Sequence, residues 1–367
     1  MTASKRRLLI AALVVLVLAV GISAFILLRR APPSLPVHTI AAVPPAPVTI
    51  RAAPKAIQQV IAQLGGEFDG KAGIAVADVG NHWIAGYHAG DPMPQQSVSK
   101  LWVAITLLDA VDHGRVRLDE RVTVRASDLT IFHQPLRGLI GAFGFTTTLG
   151  DLMKRALTES DNTANDMLLR RVGGAAAIRR MLVQKGLAGI AFGPGERLLQ
   201  AQIAGLKWQP VYSDGWSFER ARHQLSGADR RAALAAYVAN PMDGASPIGI
   251  VQALAALRQG KLLSPASTTL LLDTMGRSRT GRARLRAGLA PGWTLAHKTG
   301  TGQELGRVAT GFNDVGLLTA PSGRVYAAAV MIAQTEAPTS ARQHLISSVA
   351  QAIAAYDATL PAPLAAP

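Results

Sequence analysis

Strand-like segments lie at both ends of the globular part of the chain, and helix-like segments fill the stretch between them. Residues 72–79 and 82–88 are short apolar runs separated by the turn signal Gly80-Asn81. Further strand-like runs lie near the C-terminus, at 293–298, 307–318 and 324–333. This order predicts an α/β (α+β) fold: an antiparallel sheet built from both chain ends and flanked by helices, plus a mostly helical subdomain.

Apolar residues recur at helical spacing through the middle of the chain. The predicted helices cover 56–64, 149–157, 163–171, 175–185, 229–238, 247–258 and 339–355. The run from Lys100 to Val111 is apolar on nearly every face, so we expect it to form a helix buried in the core.

An uncharged apolar run from Leu8 to Leu28 precedes the globular part. At 1.5 Å per residue it spans about 30 Å, the thickness of a bilayer core. Basic residues flank it at Lys5, Arg6, Arg7, Arg29 and Arg30. The greater positive charge on the N-terminal side predicts a single-pass anchor with the rest of the chain outside the cytoplasm, on the periplasmic side. A cleaved signal peptide and secretion are the alternative.

The predicted domain organisation follows from these segments. Residues 1–30 form a cytoplasmic N-terminus and a transmembrane anchor. Residues 31–54 hold seven prolines and form an extended linker. Residues 55–357 form the globular domain, and residues 358–367 form a flexible tail. We expect a monomer.

The formal net charge is +15, and the chain contains no cysteine. The absence of cysteine excludes disulfides, thiolate nucleophiles and cysteine metal sites. The densest basic cluster comprises Arg277, Arg279, Arg282, Arg284 and Arg286, without interleaved aromatic residues or a nucleic-acid-binding motif. We therefore expect no nucleic-acid partner.

Three short motifs occur in a fixed order: Ser97-Val98-Ser99-Lys100, then Ser160-Asp161-Asn162, then Lys298-Thr299-Gly300. Positions three apart share one helix face, so Lys100 is placed to reach the Ser97 hydroxyl. Each motif also has a local structural explanation, since Ser160-Asp161-Asn162 resembles a helix N-cap. Those explanations do not account for all three motifs in this order, which indicates a catalytic serine.

This set of motifs resembles the signature of class A β-lactamases and their penicillin-binding relatives. The likeness extends to Leu149-Gly150-Asp151-Leu152, Arg284-Leu285-Arg286-Ala287-Gly288 and Pro291-Gly292-Trp293. It covers roughly residues 56–356. It implies a β-lactamase/transpeptidase-like fold, and it explains the arginine cluster as part of the family frame.

The resemblance implies a role for each motif residue. Ser97 is the nucleophile, and the backbone N–H groups of Ser97 and Thr301 form the oxyanion hole. Ser160 relays a proton, and Lys298 supplies positive charge. The residues implied in substrate binding are Asn162, Gln200, Thr299, Gly300, Thr301 and Arg307; among them, Thr299, Thr301 and Arg307 hold a carboxylate.

Glu196 decides between turnover and trapping of the acyl-enzyme. The family uses a glutamate here to activate the deacylating water, whereas an ordinary surface glutamate at a helix start is the structural alternative. The family usually has Asn four residues later, and this chain has Gln200. The segment 201–245 is longer than usual, and His297 replaces the more usual Asp before Lys298.

Three functions stay open at this stage. The first is hydrolysis of a small-molecule β-lactam through a Ser97 acyl-enzyme. The second is a D-alanyl-D-alanine peptidase on cell-wall peptides, or an esterase on the same frame. The third is a penicillin sensor that acylates without turning over. The histidines lack metal-ligand spacing and no glycine-rich phosphate loop is present, so we expect no metal and no cofactor.

Overall fold

The computed structural model of the protein describes residues 51–361. The strands are β1 Arg51–Ala52, β2 Lys71–Asp78, β3 Trp83–Tyr87, β4 Met93–Pro94, β5 Arg121–Val124, β6 Phe145–Thr148, β7 Gly244–Ala245, β8 Thr294–Gly300, β9 Glu304–Leu305, β10 Val308–Thr319 and β11 Val325–Thr335. The helices are α1 Lys55–Gly66, α2 Lys100–Asp112, α3 Leu149–Thr158, α4 Asn162–Arg171, α5 Gly174–Gln184, α6 Glu196–Ile203, α7 Trp216–Gln224, α8 Gly227–Ala239, α9 Pro247–Arg258, α10 Pro265–Gly276 and α11 Thr339–Ala358.

The main sheet has seven strands and combines both ends of the described chain. Its order is β1-β3-β2-β11-β10-β8, with β9 paired to β10. The short β1 pairs in parallel with β3, and the other pairs are antiparallel. The predicted fold class is confirmed.

Alternate residues of the central strands fill two separate cores. On β11, Ala327, Ala329 and Met331 face the helical subdomain, whereas Val330 and Ile332 face α1 and α11. Successive side chains of a strand point to opposite faces, so a strand covered on both sides must be apolar throughout. Small alanines on one face let the helices approach closely, which suits a core with few aromatic residues.

The helical subdomain is organised around α2. This helix is buried along almost its entire length, as its sequence predicts. It packs against α3, α4, α5 and α10. Its Trp102 ring, 1% exposed, donates from Nε1 to Gln95 Oε1 at 2.6 Å. The turn that carries Ser97 is therefore attached to a closely packed part of the core.

Several elements were not predicted. The helices α7 and α10 and the pair β5–β6 lie in segments rich in polar residues, where apolar periodicity is weak. Ser264 caps α10 by accepting the Ser267 N–H, and Asp112 in turn holds Ser264. Capping and tertiary contacts thus stabilise α10, although the spacing of apolar residues in its sequence does not predict a helix.

The predicted anchor, most of the predicted linker and most of the predicted tail lie outside the described residues. Within residues 51–361, no helix combines the length and apolarity needed to cross a membrane.

Candidate active site

Ser97 lies in a 3-10 turn, Gln96–Ser99, that leads directly into α2 at Lys100. The serine thus precedes the buried helix and does not open it. Gln96 has a φ of 53°, a left-handed conformation that costs energy for a residue with a side chain. Its N–H donates to the buried carboxylate of Asp243 at 2.7 Å, which stabilises this strained turn.

Lys100 joins three catalytic candidates. Its Nζ lies 2.6 Å from Ser97 Oγ, 2.8 Å from Asn162 Oδ1 and 2.6 Å from Glu196 Oε1. The Lys100 and Glu196 side chains are 0% and 4% exposed. Electrostatic attraction and hydrogen bonds are both stronger at such a buried site than in water. One amine therefore connects a nucleophile, an amide and a carboxylate.

Glu196 is the first residue of α6, and Asp166 of α4 holds it there. Asp166 Oδ1 accepts the Glu196 N–H at 2.9 Å, and Oδ2 accepts the Arg197 N–H at 3.3 Å. Burial, with the nearby Glu196 charge, raises the pKa of Asp166 to about 6. Gly195 has a φ of 102°, and a Cβ there would lie 2.8 Å from the Leu169 side chain. Asp166 is a positioning residue that the sequence analysis missed.

Gln200 lies one helical turn after Glu196, and its amide is held from several sides. Its Nε2 donates to Gln96 Oε1 at 3.0 Å and lies 3.4 Å from Glu196 Oε2. Its Oε1 accepts from Gln303 Nε2 at 3.1 Å. The amino group of Gln200, and not its carbonyl oxygen, therefore faces Glu196.

A buried tyrosine–aspartate pair supports this arrangement from behind. Tyr237 OH accepts from Gln96 Nε2 at 2.6 Å and donates to Asp243 Oδ1 at 2.8 Å. Burial raises the pKa of Asp243 to about 6, and burial together with the Asp243 charge raises the pKa of Tyr237. The backbone N–H and the side-chain amide of Gln96 thus both donate hydrogen bonds to the Tyr237–Asp243 pair.

Ser160 and Lys298 meet across the site. Ser160 has a φ of 62° between α3 and α4, and Lys298 Nζ donates to its Oγ at 2.9 Å. Burial is the main cause that lowers the pKa of Lys298 well below its usual value, and the Lys100 charge adds to it. Asp161 caps α4 by accepting the Ala164 N–H at 2.8 Å, so the predicted capping role coexists with the site.

The carboxylate-binding residues require a correction at Arg307. Its side chain is 84% exposed, and its Nε lies 3.8 Å from Glu336. Strand β9 lies in the connection between β8 and β10, and Asn313 and Asp314 pair opposite Gly300 and Thr299. Arg307 lies in the turn between β9 and β10, and the structure does not bring it to Thr299 or Thr301.

Arg284 takes the place that the sequence analysis gave to Arg307. It is 8% exposed, and its Nη2 donates to Thr301 Oγ1 at 2.6 Å. Its Nη1 donates to the backbone oxygens of Gly300 and Asn313 at 3.0 and 2.6 Å. Burial lowers its pKa to about 10, so it stays charged at neutral pH. No sequence signal distinguished Arg284 from its exposed neighbours.

His297 forms a buried pair behind the Lys-Thr-Gly strand. Its Nδ1 lies 2.8 Å from Asp314 Oδ1, and both side chains are 0% exposed. Asp314 Oδ2 also accepts the Leu285 N–H at 3.1 Å, which ties β10 to the turn that carries Arg284. His297 thus pairs with Asp314 and is not among the residues that Lys100 contacts.

The clustered side chains surround a cavity of about 290 Å³. Ser97, Asn162, Gln200 and Thr301 line it, together with Phe132 and the Gly302–Glu304 stretch. Thr299 contributes indirectly, since its Oγ1 lies 2.8 Å from Thr280 Oγ1. Apart from Arg307, the structure brings the predicted site residues into one cluster. A nucleophile, a shared amine, a carboxylate and a guanidinium suit acyl transfer to a small anionic substrate.

Comparisons with known proteins agree with this site. A model of the β-lactamase enzyme family matches residues 53–357. The extended-spectrum β-lactamase PER-1 of Pseudomonas aeruginosa is 29% identical over 263 residues, which cover 71% of this chain and 74% of that protein. An ancestral class A β-lactamase structure matches with a TM-score of 0.64 and 27% identity, covering 82% of this chain and 99% of the other.

A β-lactamase structure from Chitinophaga pinensis supports the fold. It has a TM-score of 0.68 and 24% identity, and the match covers 82% of this chain and 99% of that one. The resemblance inferred from the motifs is confirmed. The chain belongs to the β-lactamase enzyme family, among the serine enzymes of class A.

Proposed function

We propose that this protein hydrolyses β-lactams through an acyl-enzyme on Ser97, which Glu196 helps to hydrolyse. The observation that carries the proposal is the position of Lys100 Nζ, within 2.8 Å of Ser97 Oγ, Glu196 Oε1 and Asn162 Oδ1. A structural lysine needs only one partner, whereas this one connects the groups required for both halves of an acyl transfer.

Acylation begins with proton transfer along these contacts. Lys100 passes a proton to Glu196, and the neutral amine then takes the proton of Ser97 Oγ. The serine oxygen bonds to the lactam carbonyl carbon. The developing negative charge on the carbonyl oxygen is stabilised by the N–H groups of Ser97 and Thr301, two residues that line the same cavity.

Ring opening requires a proton on the lactam nitrogen. Ser160 Oγ delivers it as the C–N bond breaks, and Lys298 replaces it across their 2.9 Å contact. The lowered pKa of Lys298 favours this donation. Exchange with solvent then restores the carboxylate of Glu196 and the ammonium of Lys298.

Deacylation uses the same carboxylate as a general base. Glu196 takes a proton from water, and the water oxygen attacks the ester carbonyl. Ser97 Oγ leaves with a proton from Lys100, which regains one from Glu196. The Gln200 amide is held by Gln96 and Gln303 beside Glu196, and it is suited to orient the water.

The substrate carboxylate is recognised by hydroxyl groups with buried positive charge behind them. Thr301 Oγ1 accepts from the guanidinium of Arg284, which frees its own proton for the substrate. Lys298 adds a second positive group. Charge-assisted hydrogen bonds of this kind are about twice as strong as neutral ones.

The proposal is tested by steady-state hydrolysis of a chromogenic cephalosporin. We expect many turnovers by the wild-type protein and none above background by Ser97→Ala. Ser322→Ala, which removes an exposed hydroxyl in the turn between β10 and β11, is the matched control and should behave as wild type. A single turnover followed by a stable adduct would instead identify a penicillin-binding peptidase or sensor.

A further inference from the structure

A second cavity of about 590 Å³ adjoins the catalytic one. Phe132 and His133 line both, so the two cavities meet at these residues. The outer cavity is bounded on its far side by Asp214 to Glu219, which belong to the long segment between α6 and α8. Its volume falls within the range of small-molecule sites.

The near wall is attached to Asn162, one of the residues that the resemblance implies in substrate binding. Ile131 O accepts from Asn162 Nδ2 at 3.0 Å, and His133 O accepts the Asn162 N–H at 3.0 Å. Phe132, between them, has a φ of 60° and is 42% exposed. The backbone on both sides of Phe132 is therefore held by Asn162.

The far wall is preorganised. Arg137 donates to the backbone oxygens of Ser213 and Asp214 at 3.0 and 3.1 Å. At the other end of α7, Arg222 Nη2 donates to Glu304 O at 2.9 Å, on the rim of the catalytic cavity. Phe218 is 1% exposed and meets the Phe132 ring edge-on, with centroids 5.3 Å apart. This wall is fixed to both sides of the catalytic cavity.

Trp216 is the first residue of α7 and is 76% exposed although it lines the cavity. Its exposed ring is accessible to a ligand that occupies the outer cavity. Glu219 lies one helical turn further on, on the same face, with its side chain 41% exposed. The wall thus presents a flat ring with polar groups beside it.

We propose that the outer cavity binds the distal ring of β-lactams whose acylamino side chain carries a second ring, and that Trp216 stacks on that ring. The inference rests on the proposed function, because it takes Ser97 and Asn162 to hold the lactam and its amide. Planar rings stack favourably on tryptophan, and exposed polar groups can pair with the ring substituents.

The test compares two penicillins on the full-length protein. Piperacillin is ampicillin with its α-amino group acylated by a dioxopiperazine carbonyl, so the pair differs in the added second ring and in the loss of the ammonium charge. The readout is the ratio of kcat/KM for piperacillin to that for ampicillin. We expect Trp216→Ala to lower this ratio about tenfold, the effect of a lost ring contact. Trp216→Phe should restore most of it.

Phe143→Ala is the matched control, because Phe143 is 96% exposed and lies outside both cavities. It should leave the ratio unchanged. An unchanged ratio in Trp216→Ala, or an equal fall in Phe143→Ala, overturns the inference. Thermal unfolding of each variant checks that the exposed substitution leaves the fold intact.

The rate of Ser97 acylation, followed by intact mass, separates this inference from the function on which it rests. If the wild type is acylated but does not turn over, the acylation-rate ratio still tests Trp216, and only the proposed deacylation fails. If neither penicillin acylates the wild type, both proposals are overturned.

Discussion

Individual buried charges determine what this site can bind and how it responds to pH. Arg284 lies under the Lys-Thr-Gly strand with three hydrogen-bond acceptors, whereas Arg307 is exposed in a turn. Asp243 is fully buried and holds the strained turn before Ser97. Removing such a group leaves its buried hydrogen-bond partners unpaired. We therefore expect a different measurable effect for each of the two residues.

We predict that Arg284→Ala lowers kcat/KM for a penicillin by about tenfold to a hundredfold, the usual effect of losing a charged hydrogen bond. KM should rise more than kcat falls, because the guanidinium acts on the substrate carboxylate in the bound and transition states alike. Arg307→Ala, the matched control, should stay within about twofold, as expected for an exposed pair. Equal effects of the two substitutions would contradict this assignment.

Asp243 makes a prediction about stability. Its pKa is raised to about 6 from the ordinary 3.8, so the native state binds more protons than the unfolded state between these values. Its contribution to stability is therefore greatest below about pH 4 and is lost as pH rises through 6. Between pH 5 and 7.5 this loss amounts to about 1 kcal/mol. The pH slope of the urea unfolding free energy should be smaller in Asp243→Asn than in wild type.

The exposed Asp119 provides the control for this measurement. Asp119→Asn should retain the wild-type slope between pH 5 and 7.5, because the pKa of Asp119 is lowered by Arg117 and lies below that range. A slope that stayed unchanged in Asp243→Asn would show that another group titrates there.

The start of α6 illustrates how one helix positions a catalytic group on another. Glu196 and Arg197 open α6 with backbone N–H groups that point at Asp166 on α4. A carboxylate at a helix N-terminus is favoured by the helix dipole and by the unsatisfied N–H groups there. The position of Glu196, the proposed general base, thus depends on the packing of α4 against α6.

We predict that Asp166→Ala slows deacylation by about tenfold and acylation less, because in deacylation Glu196 must reach an attacking water, whereas in acylation it exchanges a proton with Lys100 across a direct contact of 2.6 Å. Single-turnover kinetics with benzylpenicillin separates the two steps. Asp166→Asn keeps one acceptor and should recover part of the rate. If both steps slowed equally, Asp166 would have a merely structural role.

Across the entire domain, the spacing of apolar residues predicted the secondary structure where the residues concerned belong to a single helix or strand. The strands at both chain ends and the buried helix α2 follow from periodicity, and the residues of the three motifs lie in contact with one another in the fold. Arg284 and Asp166 escaped notice because they reach the site only through tertiary contacts. Arg307 lies apart from Thr299 and Thr301, in the turn between β9 and β10, and a count of residues from Lys298 does not reveal that turn.

The N-terminal segment Leu8–Leu28 lies outside the described residues, so the anchor stays a prediction. We propose that it holds the domain on the periplasmic side of the membrane. The central claim concerns the domain itself, namely that Glu196 makes the Ser97 acyl-enzyme transient.

Intact-mass analysis of Glu196→Ala after mixing with benzylpenicillin tests this claim most directly. We predict a covalent adduct of one penicillin per chain that forms more slowly than in wild type, because Lys100 loses its proton acceptor, and that clears at least about a hundredfold more slowly, as expected when a general base is lost. Glu67→Ala, an exposed glutamate at the end of α1, should clear at the wild-type rate. An adduct on Glu196→Ala that clears as fast as in wild type, or no adduct at all, would contradict the account.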